Sequence, residues 1–251
     1  MTEQELALLI DFHRTAERQG PGSDTHIRTM LQLLDHDFAP TAQIADIGCG
    51  TGSATLVLAQ ETQAQIMAVD LFPEFLQELE QRARALELHD RITTRSESME
   101  NLSFAPESLD LIWSEGAIYI MGFERGVQTW KTFLKPGGYL AVSEIAWITY
   151  DRPQEVDAYW QEAYPQIDTI SGKIRVLEQN GFTPVAHLVL PPSCWFDHYY
   201  GPMEKRFAAF LEKHDHSAAA TQLVEQEKQE IAYYQRYKDY YSYGFFLAKK
   251  L

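Results

Sequence analysis

A glycine-rich turn follows an apolar run that contains one acid, in the segment Ile44-Ala-Asp-Ile-Gly-Cys-Gly-Thr-Gly-Ser53. Glycines at every second position let the backbone pass close to a ligand where any Cβ would collide. A second apolar run ends at Asp70, and an acid at the end of the next strand can hold two ribose hydroxyls. Together these residues predict a site for a cofactor that contains adenosine.

The spacing of the glycines separates two kinds of adenosine cofactor. A dinucleotide fingerprint reads Gly-x-Gly-x-x-Gly, but Ser53 stands where the third glycine belongs. Asp46, just before the turn, would repel a pyrophosphate and attract an ammonium group. S-adenosylmethionine has an ammonium group and no phosphate, and its carboxylate suits the positive N-terminus of the following helix. The residues favour S-adenosylmethionine, and the NAD(P) cofactor of a Rossmann oxidoreductase is the alternative.

Composition limits both the class of protein and its partners. The 251 residues, 45% of them hydrophobic, suffice for one α/β domain with a cap. A net charge of −15 argues against nucleic acid and anionic membranes, because both are bound through clustered Lys and Arg. The acidic N-terminal residues are unlike a signal peptide, and no apolar run has the length of a membrane span. We therefore expect a soluble protein that acts on a small molecule.

The cysteines and a short histidine motif do not predict a metal site. Cys49 and Cys194 lie far apart and outside paired motifs, which argues against disulfides and thiolate sites and fits a reducing cytoplasm. His214-Asp-His216 offers two histidines in a polar region, whereas a zinc site needs three or four convergent ligands. We expect no metal and a cytoplasmic location.

Hydrophobic periodicity predicts alternating strands and helices up to residue 146. Two helices come first, one ending near Gln19 and one capped by Ser23 or Asp24. Lys135-Pro-Gly-Gly138 is predicted to form a turn before the last strand of the series. Repeated strand–helix units imply a mostly parallel sheet. The predicted strands are residues 43–47, 65–70, 91–95, 109–114 and 139–145, and the helices between them are 53–61, 73–88 and one ending near 134.

Beyond residue 146 the pattern changes to aromatic and polar segments. It predicts helices from Pro153 and over 168–180, a strand over 183–190, a long helical region over 202–238 and a final strand over 241–248. We expect a single domain, 1–251. In it, residues 1–40 form a helical lid, 41–146 the cofactor-binding core, and 147–251 an inserted cap, the last strands and C-terminal helices.

Four motifs in order resemble the class I S-adenosylmethionine-dependent methyltransferases, in the small-molecule branch that includes the ubiquinone and menaquinone methyltransferases. The similarity spans residues 42–145, and the loop Gly20-Pro-Gly-Ser23 and the tyrosine-rich C-terminus are similar to those of a bacterial group within the family. It implies a Rossmann-like α/β fold: a seven-stranded, mostly parallel sheet with helices on both faces and an antiparallel last strand beside the fifth. The motifs are Ala45-Asp-Ile-Gly-Cys-Gly-Thr-Gly52, Val69-Asp-Leu71, Ser108-Leu-Asp-Leu-Ile-Trp-Ser-Glu-Gly116 and Leu134-Lys-Pro-Gly-Gly-Tyr-Leu140.

The resemblance also implies which residues hold the cofactor. Methyltransferases that act on nucleobase or amide nitrogen often carry Asn/Asp-Pro-Pro-Tyr/Phe after the fourth strand. This chain has Trp113-Ser-Glu-Gly116 there, which disfavours that chemistry. By position, the methionine part of the cofactor meets Asp46, Gly48, Gly50 and Gly52, with Cys49 as a small filler of the loop. Asp70 holds the ribose, Leu71 lies along the adenine, Ser98 and Met99 meet its edge, and Ser114, Glu115 and Gly116 form the floor of the reacting centre.

Methyl transfer is an in-line displacement, so few catalytic residues are needed beyond those that orient the reactants. Glu115 and Glu144 end central strands, where open α/β sheets place ligands, and each is a candidate base or substrate contact or else a structural acid. His13 lies on an apolar helical face, either packed in the core or serving as a base of near-neutral pKa. Tyr119 either donates a hydrogen bond to the substrate or packs.

The acceptor pocket is expected from the first helix, residues 147–164 and the segment after Pro191. Gly20-Pro-Gly-Ser23 is either an ordinary turn or a lid over the cofactor. The tyrosines between 233 and 243 are expected in the core, in a homodimer contact, or along a pocket for an aromatic acceptor. The predicted reaction is methyl transfer to a small molecule. The alternatives are a non-methylating or carboxymethyl-transferring use of the cofactor on the same fold, the oxidoreductase above, and a binding module without catalysis.

Overall fold

One mixed sheet runs through the protein. The computed structural model describes residues 2–35 and 37–251, so positions 1 and 36 of the predicted lid lie outside the described residues. The strand order is β3-β2-β1-β4-β5-β8-β7, and the two-residue β6 pairs with β5 beyond the end of β4. The strands are β1 (Gln43–Ile47), β2 (Gln65–Asp70), β3 (Ile92–Ser96), β4 (Leu109–Glu115), β5 (Leu134–Trp147), β6 (Asp168–Thr169), β7 (Phe182–Val189) and β8 (Tyr241–Lys250).

The last strand is inserted antiparallel beside the fifth, as the sequence predicts. β8 lies between β5 and β7 and runs antiparallel to both, while β1 to β5 pair in parallel. The class I methyltransferase fold is confirmed. The described residues contain eight strands rather than seven because β6 adds one short rung to β5.

Helices cover both faces of the sheet. Alternate side chains of β1 point to opposite faces, so Ile44 packs with α2 and α3 while Ala45 and Ile47 pack with α5 and α7. No helix in the described parts of the chain has the length and apolar composition to cross a bilayer. The helices are α1 (Glu3–His13), α2 (Asp24–Gln32), α3 (Ser53–Glu61), α4 (Pro73–Ala85), α5 (Phe123–Lys131), α6 (Gln154–Ala163), α7 (Ile170–Gln179), α8 (Pro192–Trp195), α9 (Gly201–Glu204), α10 (Phe207–Lys213) and α11 (Ala218–Tyr237).

The first helix ends at His13, six residues before the predicted end at Gln19. The carbonyl of Ala16 instead accepts hydrogen bonds from Thr51 Oγ1 (2.8 Å) and from Arg82 (2.9 Å). These contacts hold residues 14–23 as a loop across the glycine-rich turn. The prediction that Ser23 caps the second helix is confirmed, since its hydroxyl accepts the His26 amide.

The predicted turn over Lys135-Pro-Gly-Gly138 is wrong. β5 starts at Leu134, and its pairing with β4 shifts from Leu109–Leu134 to Leu111–Tyr139, so these residues form a bulge inside the strand. A Cβ at Gly138 would lie 3.0–3.2 Å from three backbone oxygens, which explains a glycine here.

A second, aromatic core lies under the cap. Trp195 stacks on Tyr234 with ring centroids 3.9 Å apart, and Phe12 of α1 packs into the same cluster. The helical region predicted over 202–238 consists of three helices, α9, α10 and α11. The break before α11 includes Asp215 and His216, both with positive φ. Because Phe12 packs in this aromatic core, the first helix is part of the cap.

Gly52 couples the glycine-rich turn to α4, and replacing it tests that coupling. Its φ is +88°, and an added Cβ would collide with the Leu79 side chain. We expect Gly52→Ala to lower the free energy of unfolding by about 1–3 kcal/mol, measured by urea denaturation. Gly20→Ala is the control because a Cβ there meets no atom within 4 Å. Equal midpoints for the two variants would contradict this role.

Candidate functional site

The main cavity lies at the carboxyl ends of β1, β2 and β4, under α1 and the 14–23 loop. Its volume is about 470 Å³, within the range of small-molecule sites. Open α/β sheets bind ligands at this edge. The wall consists of Leu9, Ile10, His13, Arg18, Gln19, Gly20, Pro21, Asp46, Gly48, Cys49, Gly50, Ser53, Ala54, Val69, Asp70, Leu71, Phe72, Phe75, Glu97, Ser98, Met99, Glu115, Gly116, Ala117, Tyr119, Ile120 and Tyr199.

Asp70 fastens the glycine-rich turn to the end of β2. Its Oδ2 accepts the Gly50 amide at 2.9 Å, and its Oδ1 accepts the Phe72 amide at 3.0 Å. The φ of Gly50 is +54°, a conformation that glycine adopts without strain. Each carboxylate oxygen accepts one backbone hydrogen bond and keeps a lone pair for a ligand. Burial raises the pKa of Asp70, although the backbone hydrogen bonds from Phe72 and Gly50 oppose that shift.

Asp46 is a buried acid on the cavity floor. It is 1% exposed and accepts a 2.6 Å hydrogen bond from Thr55 Oγ1. Burial, together with the nearby acids Glu115 and Asp70, raises the pKa of its carboxyl to about 7. A cation in the cavity would stabilise the charged form of this carboxylate.

Both carboxylate oxygens of Glu115 accept hydrogen bonds from other side chains. Oε1 accepts Trp113 Nε1 at 2.9 Å, and Oε2 accepts Arg18 Nη1 at 3.1 Å. Arg18 also donates to Asp24 at 3.0 Å, and its side chain is only 7% exposed. Removing one partner of such a buried pair leaves an uncompensated charge. Glu115 thus lies in the cavity wall as the anchor of the 14–23 loop.

A second contact anchors the same loop to the glycine-rich turn. Gln19 accepts the Thr51 amide at 3.1 Å and donates to the Thr51 hydroxyl at 2.9 Å. Gly20 and Pro21, two residues of the predicted lid, then line the cavity. The loop therefore forms one wall of the site and narrows the access of water.

His13 and Tyr119 also line the cavity. Burial lowers the pKa of His13 to about 4, so the expected near-neutral pKa is wrong and the imidazole is neutral at pH 7. Its Nδ1 is buried without a hydrogen-bond partner among the described residues. Burial raises the pKa of the Tyr119 hydroxyl, and the charge of Glu144 adds to that shift.

The fold is that of known class I methyltransferases. Residues 44–138 match the family described as a methyltransferase domain. This part of the chain is therefore similar to a methyltransferase domain. One curated relative is the methyltransferase GfsG of Streptomyces halstedii, 28% identical over 127 residues, which are 50% of this chain and 46% of GfsG. The chain thus matches about half the length of this relative.

Two solved structures show the extent of the shared fold. An S-adenosylmethionine-dependent methyltransferase from Geobacter sulfurreducens, in complex with S-adenosyl-L-homocysteine, has a TM-score of 0.85 at 16% identity and covers 98% of each chain. The [4+2]-cyclase SpnF has a TM-score of 0.73 at 18% identity, covering 98% of this chain and 92% of its own. The fold of the methyltransferase domain therefore extends through the cap.

The structure brings most of the predicted cofactor residues into one cavity. Tyr119, His13 and Glu115 join them as candidate catalytic residues. The predicted cofactor residues in the wall are Asp46, Gly48, Cys49, Gly50, Asp70, Leu71, Ser98, Met99 and Gly116.

Three predicted residues are placed elsewhere, which corrects their expected contact with ligands. Glu144 is fully buried and its Oε1 lies 3.3 Å from Lys173 Nζ, behind the cavity wall. Ser114 donates to the Ile47 carbonyl at 2.7 Å and joins β4 to β1. Gly52 faces Leu79 of α4. Ser114 and Glu144 therefore contact neighbouring elements of the fold, and Gly52 lies against α4, so none of the three lines the cavity.

The residues that line the predicted acceptor pocket agree with the prediction only in part. Leu9, Ile10 and His13 of α1 and Tyr199 beyond Pro191 line the cavity. No residue of the 147–164 segment does so, because Trp147, Val156 and Trp160 pack in the aromatic core of the cap.

His214 Nε2 lies 2.9 Å from Asp11, in an ion pair with α1. No cluster of three or more His, Cys, Asp or Glu suited to a metal occurs in residues 2–35 and 37–251.

Sequence reasoning missed Arg18 and Gln19, whereas Tyr199 belongs to the segment after Pro191 that was expected at the pocket. Arg18 and Gln19 lie within the span predicted as helix, and their partners Glu115 and Thr51 are 97 and 32 residues away along the chain. A single sequence carries no signal for such pairs. The glycine and proline of the loop indicated a turn there but not what it contacts.

The raised pKa of Asp46 predicts a pH-dependent stability that Asp46→Asn removes. The unfolded carboxyl titrates near about 4, so the folded state binds more protons between about pH 4 and about pH 7. The free energy of unfolding therefore falls as pH rises through that window. At pH 8 we expect Asp46→Asn without ligand to be more stable than wild type by about 4 kcal/mol, and the gain to vanish at pH 4.

Urea denaturation between pH 4 and pH 8 measures this difference. Asp90→Asn is the control because the Asp90 side chain is 91% exposed. A constant difference between wild type and Asp46→Asn across the range would show that Asp46 ionises normally in the folded protein.

Proposed function

We propose that this protein is an S-adenosylmethionine-dependent methyltransferase that transfers a methyl group to a small-molecule acceptor. The observation that carries the proposal is the pair of acids, Asp46 and Asp70, that flank the glycine-rich turn in one cavity. The methyltransferase domain found at residues 44–138 supports it. The acidic net charge of −15 favours a small molecule over nucleic acid, and cytoplasmic location is part of the same proposal.

The chemistry of the cavity wall fits S-adenosylmethionine. Asp70 has a free lone pair on each oxygen for ribose hydroxyls. Burial disfavours the charged form of Asp46, and an ammonium group placed beside it would stabilise that charged form. No side chain caps the N-terminus of α3, and its first residues, Ser53 and Ala54, line the cavity. Its positive end suits a carboxylate.

The adenine end of the wall is apolar with one polar edge. The apolar side chain of Leu71 is 57% exposed, and it lines the cavity together with Met99. A planar base lying there would cover these side chains. Ser98 lies next to them and offers a hydroxyl to the edge of a base.

S-adenosylmethionine, when bound, supplies an electrophilic methyl group on a sulfonium. The protein must then orient the acceptor and exclude water. The 14–23 loop closes one side through the Arg18–Glu115 pair. Because both oxygens of Glu115 are hydrogen-bonded to protein, Glu115 serves as the loop anchor. His13, neutral and with an unpartnered Nδ1, is the group that can take a proton from an acceptor.

Two observations bear on the alternatives. The fold similarity to the [4+2]-cyclase SpnF favours a non-methylating reaction as the second candidate, since one fold hosts several chemistries. A dinucleotide is disfavoured because a pyrophosphate at the glycine-rich turn would lie near buried Asp46 and Ser53 replaces the third glycine.

Removing the Asp70 carboxylate should abolish most cofactor affinity. Asp70→Ala leaves ribose hydroxyls without acceptors and frees the Gly50 amide, a loss of about 1–3 kcal/mol or about tenfold to a hundredfold in Kd. Calorimetric titration with S-adenosylmethionine measures it, with NADH as the competing ligand. Asp90→Ala is the control. Unchanged affinity in Asp70→Ala, or tighter binding of NADH by wild type, would contradict the proposal.

A screen with methyl-labelled S-adenosylmethionine tests the reaction itself. Phenols, amines, thiols and carboxylates are offered as acceptors, and labelled product and S-adenosylhomocysteine are measured together. We expect both to form in equal amounts with at least one class. Conversion of an acceptor without transfer of label would favour the non-methylating alternative.

A further inference from the structure

We propose that Glu227 positions His13 as the base of the reaction and takes up the proton that His13 removes from the acceptor. The inference rests on the proposed function and names a second residue for it. Glu227 lies on α11, far from the glycine-rich turn in sequence, and no motif marks it.

The two side chains form a partly buried pair at the cavity wall. His13 Nε2 lies 3.9 Å from Glu227 Oε1, and the side chains are 12% and 13% exposed. The separation exceeds hydrogen-bond length, and pairs of this kind often tighten only when substrate is bound. His13 itself lines the cavity, whereas Glu227 lies behind it.

The other imidazole nitrogen is left for a ligand. His13 Nδ1 is buried and has no hydrogen-bond partner in the described structure. Nε2 faces a carboxylate, which would accept a hydrogen bond from the Nε2–H tautomer once the two groups approach each other. In that tautomer Nδ1 carries a lone pair. An acceptor hydroxyl, amine or thiol placed beside Tyr119 and Tyr199 could donate to it.

The charges around the pair direct the proton away from the imidazole. Burial, with a smaller effect of the Arg206 guanidinium, lowers the pKa of His13 to about 4. Burial and the neighbouring Glu230 on the same helix, opposed by Arg206, raise the pKa of Glu227 to about 7. Tyr199 also faces these groups. Burial therefore favours the neutral form of both groups, with the proton on the carboxyl and not on the imidazole.

The proton transfer balances without any further reactant. The bond from the acceptor atom to hydrogen breaks as the Nδ1–H bond forms. The Nε2–H bond breaks as an O–H bond forms on Glu227. The imidazole stays neutral, the acceptor gains an electron pair for attack, and Glu227 later releases the proton to water.

Ring nitrogen shifts of His13 test the pair without relying on activity. Protein labelled with ¹⁵N-histidine is measured at pH 8, alone and with S-adenosylhomocysteine, and the His13 signal is assigned by its loss in His13→Asn. We expect the Nε2–H tautomer in wild type and in Glu227→Gln, whose amide oxygen still accepts. Glu227→Leu should shift the ring toward Nδ1–H. Glu225→Gln, an exposed change on α11, should match wild type.

The pH profile tests proton uptake, using an acceptor found in the screen. In wild type, kcat should rise through an apparent pKa near 7 because Glu227 must be ionised to receive the proton. Glu227→Gln should lose that rise and at least about tenfold in kcat at pH 8, with KM unchanged. Thermal melts check that the variants fold. Glu225→Gln should keep the wild-type profile.

The outcomes separate this inference from the proposed function. An Nδ1–H tautomer in wild type overturns the pair even if no acceptor is ever methylated. The expected tautomer with an unchanged pH profile in Glu227→Gln overturns proton uptake while leaving methyl transfer intact. The expected tautomer together with loss of the rise in kcat supports the whole inference.

Discussion

The hydrogen bond from the Gly50 amide to Asp70, 2.9 Å long, is the constraint on which the site depends. It fixes the turn after β1 to the end of β2, and the amides of Gly48 and Cys49 add bonds to the Val69 carbonyl at 2.8 and 3.0 Å. The turn then holds the N-terminus of α3 toward the cavity. Because a fixed carboxylate already accepts backbone bonds, a ligand finds it oriented in advance, which lowers the entropic cost of binding.

The second feature of the site is its excess of acids in a poorly solvated space. Asp46, Asp70 and Glu115 line one cavity, and Arg18 pairs directly with only the last of them. Burial raises the pKa of Asp46 and Asp70 in consequence. The free energy of unfolding is therefore lowest when the site is empty at high pH, where these acids are ionised. A ligand that brings positive charge raises it. The arrangement favours binding over stability of the free protein.

The sequence predicted most strands and helices well, and the long-range contacts of the site poorly, for physical reasons. β1 and β2 have the predicted bounds, because buried parallel strands are short apolar runs ended by glycine or acid. The end of α1 and the role of Glu115 depend on partners such as Arg82 and Arg18, which are distant in sequence. Local pattern contains no information on these contacts. Lys135-Pro-Gly-Gly138 carried turn residues, yet sheet pairing made it a bulge.

The division between sheet and cap also determines where specificity for the reaction resides. The similarity to SpnF extends over 98% of this chain, so neither the sheet nor the presence of a cap distinguishes one chemistry from another. The distinguishing groups are those that the cap places at the cavity. Here α1 brings His13, and the segment beyond Pro191 brings Tyr199. The aromatic core, with Trp195 on Tyr234, packs against both segments, so substitutions within it would displace His13 and Tyr199 before they disturb the glycine-rich turn.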